Sequence, residues 1–170
     1  MSVQDNISPE LERIRKVTTE IMNTKLKVGI MASEGSIQWI IGMVHEYGAS
    51  IKVTPKMRNF LHYKGLHLKE TTTHINIPER SFIRAGYEEA KPELEKLIQR
   101  LIPLVISGKM PVNQMFETLG VTLSTKIQTY VKSVRTPPNH PMTIARKGSS
   151  QPLVDSGRMV QSITYEVVKV

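Results

Sequence analysis

The chain has no cysteine in its 170 residues, which excludes disulfides and thiolate metal centres and is compatible with folding in a reducing cytoplasm. Aromatic residues make up only 5% of it, little material for the stacked platforms that hold single-stranded nucleic acid. No apolar run approaches the ~20 residues of a membrane-spanning helix, and Met1–Pro9 lacks a secretion-signal pattern. Glycines that could cradle a phosphate are missing, since Gly148 and Gly157 stand alone. Asp155-Ser156-Gly157 is not the Gly-x-Ser-x-Gly of a nucleophile elbow. The histidines are His45, His62, His67, His74 and His140, and none falls at zinc-protease spacing. His45 and Glu46 are adjacent, so on a helix they diverge by about 100° and make no ready ligand pair. A hydrogen bond to backbone at a turn is the expected role of His45. Glu88, Glu89, Glu93 and Glu95 interleave with Lys91 and Lys96, as on a solvated helix face with paired charges. The expectation is a protein without catalytic residues, cofactor or metal.

Positive charge is abundant. The formal net charge is +8, distributed as +3 over residues 1–78, zero over 79–117 and +5 over 118–170. Residues 51–69 carry Lys52, Lys56, Arg58, Lys64 and Lys69 and no acid. Such a field attracts polyanions or an acidic protein surface. Arg58, Phe60, His62, Tyr63 and Lys64 interleave base with aromatic ring, and with so few aromatics the apolar members are expected to pack against a sheet.

The hydrophobic share of 39% is on the low side for a globular chain, and the length suits one domain over 1–170, with residues 1–24 as an N-terminal helix or arm. Ser8-Pro9-Glu10 is a helix start, followed by Leu11, Ile14, Val17 and Ile21 at helical spacing. Lys25–Ala32 alternates like a strand. Ser36–Tyr47 has helical spacing and should stop at Gly48. Pro55–Tyr63 allows two helical turns, and Leu66–Ile77 reads as one long bent strand or a hairpin. Ser81–Ile106 is helical, with a kink or restart expected at Pro92. A second helix from Val112 to about Val134 follows a short connection, so the two should form an antiparallel hairpin. Arg135–Gln151 is a long basic loop with prolines and a Gly-Ser-Ser run, apart from one turn of helix at Thr143–Lys147. Ile163, Tyr165 and Val167 then alternate as a final strand.

Three motifs occur in order. His45-Glu46-Tyr47-Gly48 comes first, then Ile77-Pro78-Glu79-Arg80-Ser81-Phe82-Ile83-Arg84, then Pro152-Leu153-Val154-Asp155-Ser156-Gly157 ahead of Ser162-Ile163-Thr164-Tyr165. Together, over roughly residues 36–168, they resemble the neck, tail-completion and virion-morphogenesis proteins of tailed bacteriophages. Ser81 departs from the pattern, because many members of that family have a second proline there.

The resemblance implies an α+β subunit: a small, mainly antiparallel sheet against a long helical hairpin, with an N-terminal helix and extended loops. It implies a homo-oligomeric ring, most often sixfold, at the head–tail junction of a virion assembled in the host cytoplasm. Its partners would be other neck, portal-adaptor and tail proteins, with duplex DNA passing nearby and no membrane. His45, Glu46, Tyr47, Arg80, Phe82, Arg84, Arg135, His140, Arg146, Lys147 and Arg158 are the candidate subunit-interface residues, with the 135–151 loop expected to order only on docking. The alternative is a sequence-nonspecific DNA-binding protein, whose affinity would fall steeply with salt. A virion peptidase or lysin has no residues at usable spacing to support it.

Overall fold

The computed structural model describes residues 8–31 and 35–170. The architecture is α+β, the class that the resemblance implies. Helix α1 (Pro9–Met22) starts where Ser8 Oγ accepts from Leu11 N–H and Pro9 occupies the first turn. Strand β1 (Thr24–Ile30) follows, then α2 (Ile37–Tyr47), β2 (Ala49–Lys52), α3 (Pro55–Tyr63) and β3 (His74–Ile77). The long hairpin is α4 (Ile83–Ile106) and α5 (Val112–Ser133), and the chain closes with α6 (Pro141–Lys147), α7 (Arg158–Gln161) and β4 (Ile163–Lys169). The sheet consists of two separate antiparallel ribbons. β1 pairs with β4 in the register Thr24 to Lys169 through Ile30 to Ile163, and β2 pairs with β3 from Ala49–Ile77 to Lys52–His74.

The core lies between the hairpin and the β1–β4 ribbon. Val112, Met115, Leu119, Leu123, Ile127 and Val131 recur at three- and four-residue intervals along α5, so one stripe of that helix is buried. They meet Leu94, Leu101 and Val105 of α4, together with Met159, Val160 and Ile163. Gly120 interrupts the α5 stripe because Tyr165 of β4 lies directly on its backbone, where an added Cβ would be 2.3 Å from the ring. Gln128 Nε2 donates to Ile163 O at 2.8 Å and ties the same helix to the same strand.

Three expectations need correction. Pro92 does not restart the helix, since α4 runs unbroken through Pro92 and Pro103. Both prolines are on the exposed face, where the carbonyls they leave unpaired can bond to water. Leu66–Ile77 is not a long strand, because only His74–Ile77 pairs. The carbonyls of Leu68, Lys69 and Thr72 are instead taken by the Arg58 guanidinium, at 3.3, 2.9 and 2.7 Å. The α3 aromatics do not pack against a sheet. Phe60 is 57% and Tyr63 83% exposed, and the Lys64 ammonium lies 5.8 and 5.6 Å from their ring centres.

Residues 49–77 therefore form an arm. It contains β2, α3, the Arg58-held turn and β3, and none of its residues is buried. Two strands and a short helix with no core of their own are marginally stable in water.

Candidate assembly interface

The three motifs meet at one place. Gly48 ends α2 with φ 73°, and its Cα lies so close to the 77–79 backbone that an added Cβ would stand 3.0 Å from Glu79 N and 3.1 Å from Ile77 O. This approach brings the end of α2 over the start of α4, and Arg80 N–H donates to His45 O at 2.7 Å. Helix α4 has no side-chain cap from its own N-cap residue, Phe82. Glu46, 4% exposed, supplies it from across the fold. Its Oε2 accepts from Phe82 N and Ile83 N at 2.8 and 2.9 Å. Its Oε1 accepts from Ser81 Oγ, Arg84 N and Arg84 Nε at 2.9, 3.2 and 2.9 Å. A carboxylate there satisfies orphan N–H groups and meets the positive end of the helix dipole. Burial alone would raise the Glu46 pKa; the N–H of Ile83, the Arg84 guanidinium, the N–H of Arg84 and the Ser81 hydroxyl outweigh it and bring it below the ordinary carboxylate value.

Arg80 makes the second link. It is 6% exposed, and its guanidinium donates to Pro137 O at 2.7 Å, Pro138 O at 3.0 Å and Asn139 Oδ1 at 3.3 Å. Residues 137–139 are thus tied to the segment ahead of α4 within the subunit. The 135–151 segment also contains a full helix, α6, rather than a single turn, capped by His140 Nδ1 accepting from Met142 N.

The His45 ring lies beside these links. Its Nδ1 is buried and has no hydrogen-bond partner among the described residues, so the expected backbone bond is not formed there. Burial, followed by the charges of Arg80 and Lys147, pushes its pKa down to about 4, and the ring is neutral at neutral pH. His45 lines a cleft of about 350 Å³ between α2, α6 and the 152–159 segment.

The candidate interface residues thus divide. Glu46, Arg80 and Phe82 face inward, because each fills a role in tying α2 to α4 or to the 137–139 segment, and they are corrected from interface to internal positions. Arg135 folds back onto Lys132 O and Val134 O at the end of α5. His140 caps α6. Tyr47 and Arg84 are outward, with the guanidinium 5.0 Å from the Tyr47 ring. Arg146, Lys147 and Arg158 line the cleft. The α4 carboxylates are exposed, and Glu93 pairs with Lys126 of α5. Sequence reasoning missed the exposed apolar face of α2, formed by Ile37, Ile40, Ile41 and Met43. Their spacing is visible in the sequence, but which side of a mainly apolar helix stays uncovered is decided by packing. The approach of His62 to His67, Nδ1 to Nδ1 at 2.8 Å, was also missed. Among the described residues no group of three His, Asp or Glu side chains could hold a metal, and no helix is long and apolar enough to cross a membrane.

No protein-family model matches the chain, and no curated protein or solved structure matches it at a significant level.

Proposed function

We propose that the protein is a structural subunit of a bacteriophage head–tail junction, working by assembly into or onto a ring. The observation that carries this reading is the meeting of the three motifs. The residues that resemble the neck and tail-completion family are the same ones that cap α4 from α2, anchor the 137–139 segment and line one cleft. A pattern tied to a specific long-range packing is harder to match by chance than scattered similarity.

The arm at residues 49–77 fits the reading. It is basic, exposes Ile51, Phe60 and Tyr63, and contains no buried residue. Such an element gains stability when a neighbour covers it, and docking onto an acidic neighbour would bury the rings and neutralise the lysines. The arm contributes contact surface and the hairpin a rigid base; no chemical step is involved. The test is light scattering of the purified protein, alone and with isolated tails or DNA-filled heads. A ring, or binding to one of those structures, is the expected result. A monomer that joins neither contradicts it.

The same arm favours a second reading, nonspecific contact with DNA, because its exposed lysines suit phosphate contacts. Gel-shift titration with duplex DNA at two salt concentrations separates the readings: retardation that disappears with salt supports DNA contact.

A further inference from the structure

The cleft beside α2 has an unusual lining. Arg146 of α6 has no hydrogen-bond or ion-pair partner among the described residues, and Arg158 donates only to Ser156 Oγ, at 3.1 Å. Lys147 Nζ donates to Gln151 O at 2.9 Å, which fixes one wall and leaves its charge unneutralised by any ion pair. Asp155 is the one carboxylate in the lining. Arg80 stands behind the cleft and adds to the positive field at His45. Apolar side chains share the lining with the uncharged polar Gln38, Asn139, Thr143 and Ser156: Ile37 and Ile41 come from α2, Leu153 and Met159 from the 152–159 segment. Ile37 and Ile41 continue outward into the uncovered face of α2, at 66% and 40% exposed.

We infer that this cleft is a docking site for an acidic peptide segment of a neighbouring protein, with carboxylates against Arg146 and Arg158 and an aliphatic side chain against Ile37 and Ile41.

Two guanidiniums present planar forks that match carboxylates. The apolar walls select against an inorganic anion, which would leave them uncovered, and a recessed cleft selects against duplex DNA, whose phosphates need cations on an outward ridge. The volume, about 350 Å³, is at the lower end for a ligand pocket and suits a few side chains rather than a folded surface. The inference rests on the assembly reading above, and it specifies the chemistry that a neighbour must present.

The test is an NMR titration of the full chain with an end-blocked Asp-Leu-Glu-Leu peptide, its Asn-Leu-Gln-Leu counterpart, inorganic phosphate and a short DNA duplex. Expected are shifts confined to residues 37–45 and 139–159 with the acidic peptide, and at least tenfold weaker binding of the amide peptide. The Arg146→Gln/Arg158→Gln variant should lose at least tenfold affinity while its remaining spectrum stays folded, since both side chains lie outside the core. Ile41→Ser, as a second variant, should weaken the peptide but leave any phosphate binding unchanged. Equal binding of both peptides, or binding of phosphate or duplex without the acidic peptide, overturns the inference. Peptide binding by a protein that joins neither heads nor tails would sink the junction reading and leave the site standing. Normal joining by the Arg146→Gln/Arg158→Gln variant would do the reverse.

Discussion

Replacing Glu46 tests the internal logic of the fold most sharply. Glu46→Gln keeps the volume and one carbonyl oxygen. That oxygen can take the place of Oε2 and still accept from Phe82 N and Ile83 N. The new NH₂ takes the place of Oε1, where it confronts the Arg84 N–H and Nε–H, and only the Ser81 hydroxyl can adapt by accepting. One backbone N–H at the α4 start loses its partner, and one charge-assisted bond to an exposed arginine is lost. Hydrogen bonds to charged groups contribute about 1.5–3 kcal/mol when shielded and less at the surface, so the loss is about 2–3 kcal/mol. Glu46→Ala removes every acceptor and leaves a void, at a cost of roughly 4–5 kcal/mol. That is a large part of the ~5–15 kcal/mol of a typical domain. The assay is urea unfolding followed by circular dichroism and by Trp39, the chain's one tryptophan, which borders the same site. The midpoint should fall with an unchanged slope, and the melting temperature of Glu46→Gln should drop by about 5–10 °C. If both variants unfold within about 0.5 kcal/mol of the parent, the range of an ordinary surface change, the remote-cap account is refuted. Because the folded-state pKa of Glu46 is lowered, its contribution is fully present above the unfolded-state value and is lost as pH falls through the folded one. Glu46→Gln should therefore flatten the acid limb of the stability profile.

Other consequences follow from the same geometry. Gly120→Ala gains about 1 kcal/mol of helix propensity but drives a Cβ into the Tyr165 ring at 2.3 Å, so a net loss of ~1–3 kcal/mol is expected by thermal melting. Gly42→Ala meets only the tip of Ile30, a flexible methyl that can move aside, and should be near neutral. Arg80→Met should cost about 2–4 kcal/mol and speed amide exchange across 135–151 while α4 and α5 stay protected, because the Pro137 and Pro138 carbonyls lose their donor. His45 binds its proton at about 6.5 when unfolded but at about 4 when folded. Stability should thus fall as pH is lowered from 6.5 to 4, by up to about 3 kcal/mol over that span, and His45→Asn should remove this slope.

The parts of the fold set by local periodicity were legible in the sequence. The α5 stripe, the α1 start at Ser8-Pro9 and the alternation in β1 and β4 each follow from one short segment. No new helix starts at Pro92 because the carbonyl it leaves without an N–H partner lies on an exposed face and can bond to water. Leu66–Ile77 is not one strand because apolar alternation marks a strand only if the backbone pairs, and Arg58, ten to fourteen residues upstream, takes carbonyls of that segment instead. The candidate site was legible as a set of residues and not as a set of roles. Glu46 and Arg80 were picked out for contact with a neighbour, whereas they hold the subunit together. That pairing spans 35 residues between Glu46 and Ser81, and only the close passage of Gly48 over residues 77–79 makes it possible. Arg146 and Arg158, candidates for the subunit interface, are brought into one cleft by α6 and α7, which no local pattern joins.

The most direct test of the central claim is the mass of the purified protein by light scattering, alone and mixed with isolated tails or with DNA-filled heads. The account predicts a discrete ring or co-migration with one of those two structures, at salt that abolishes nonspecific DNA binding. A monomer that ignores both and retards DNA at low salt would contradict it.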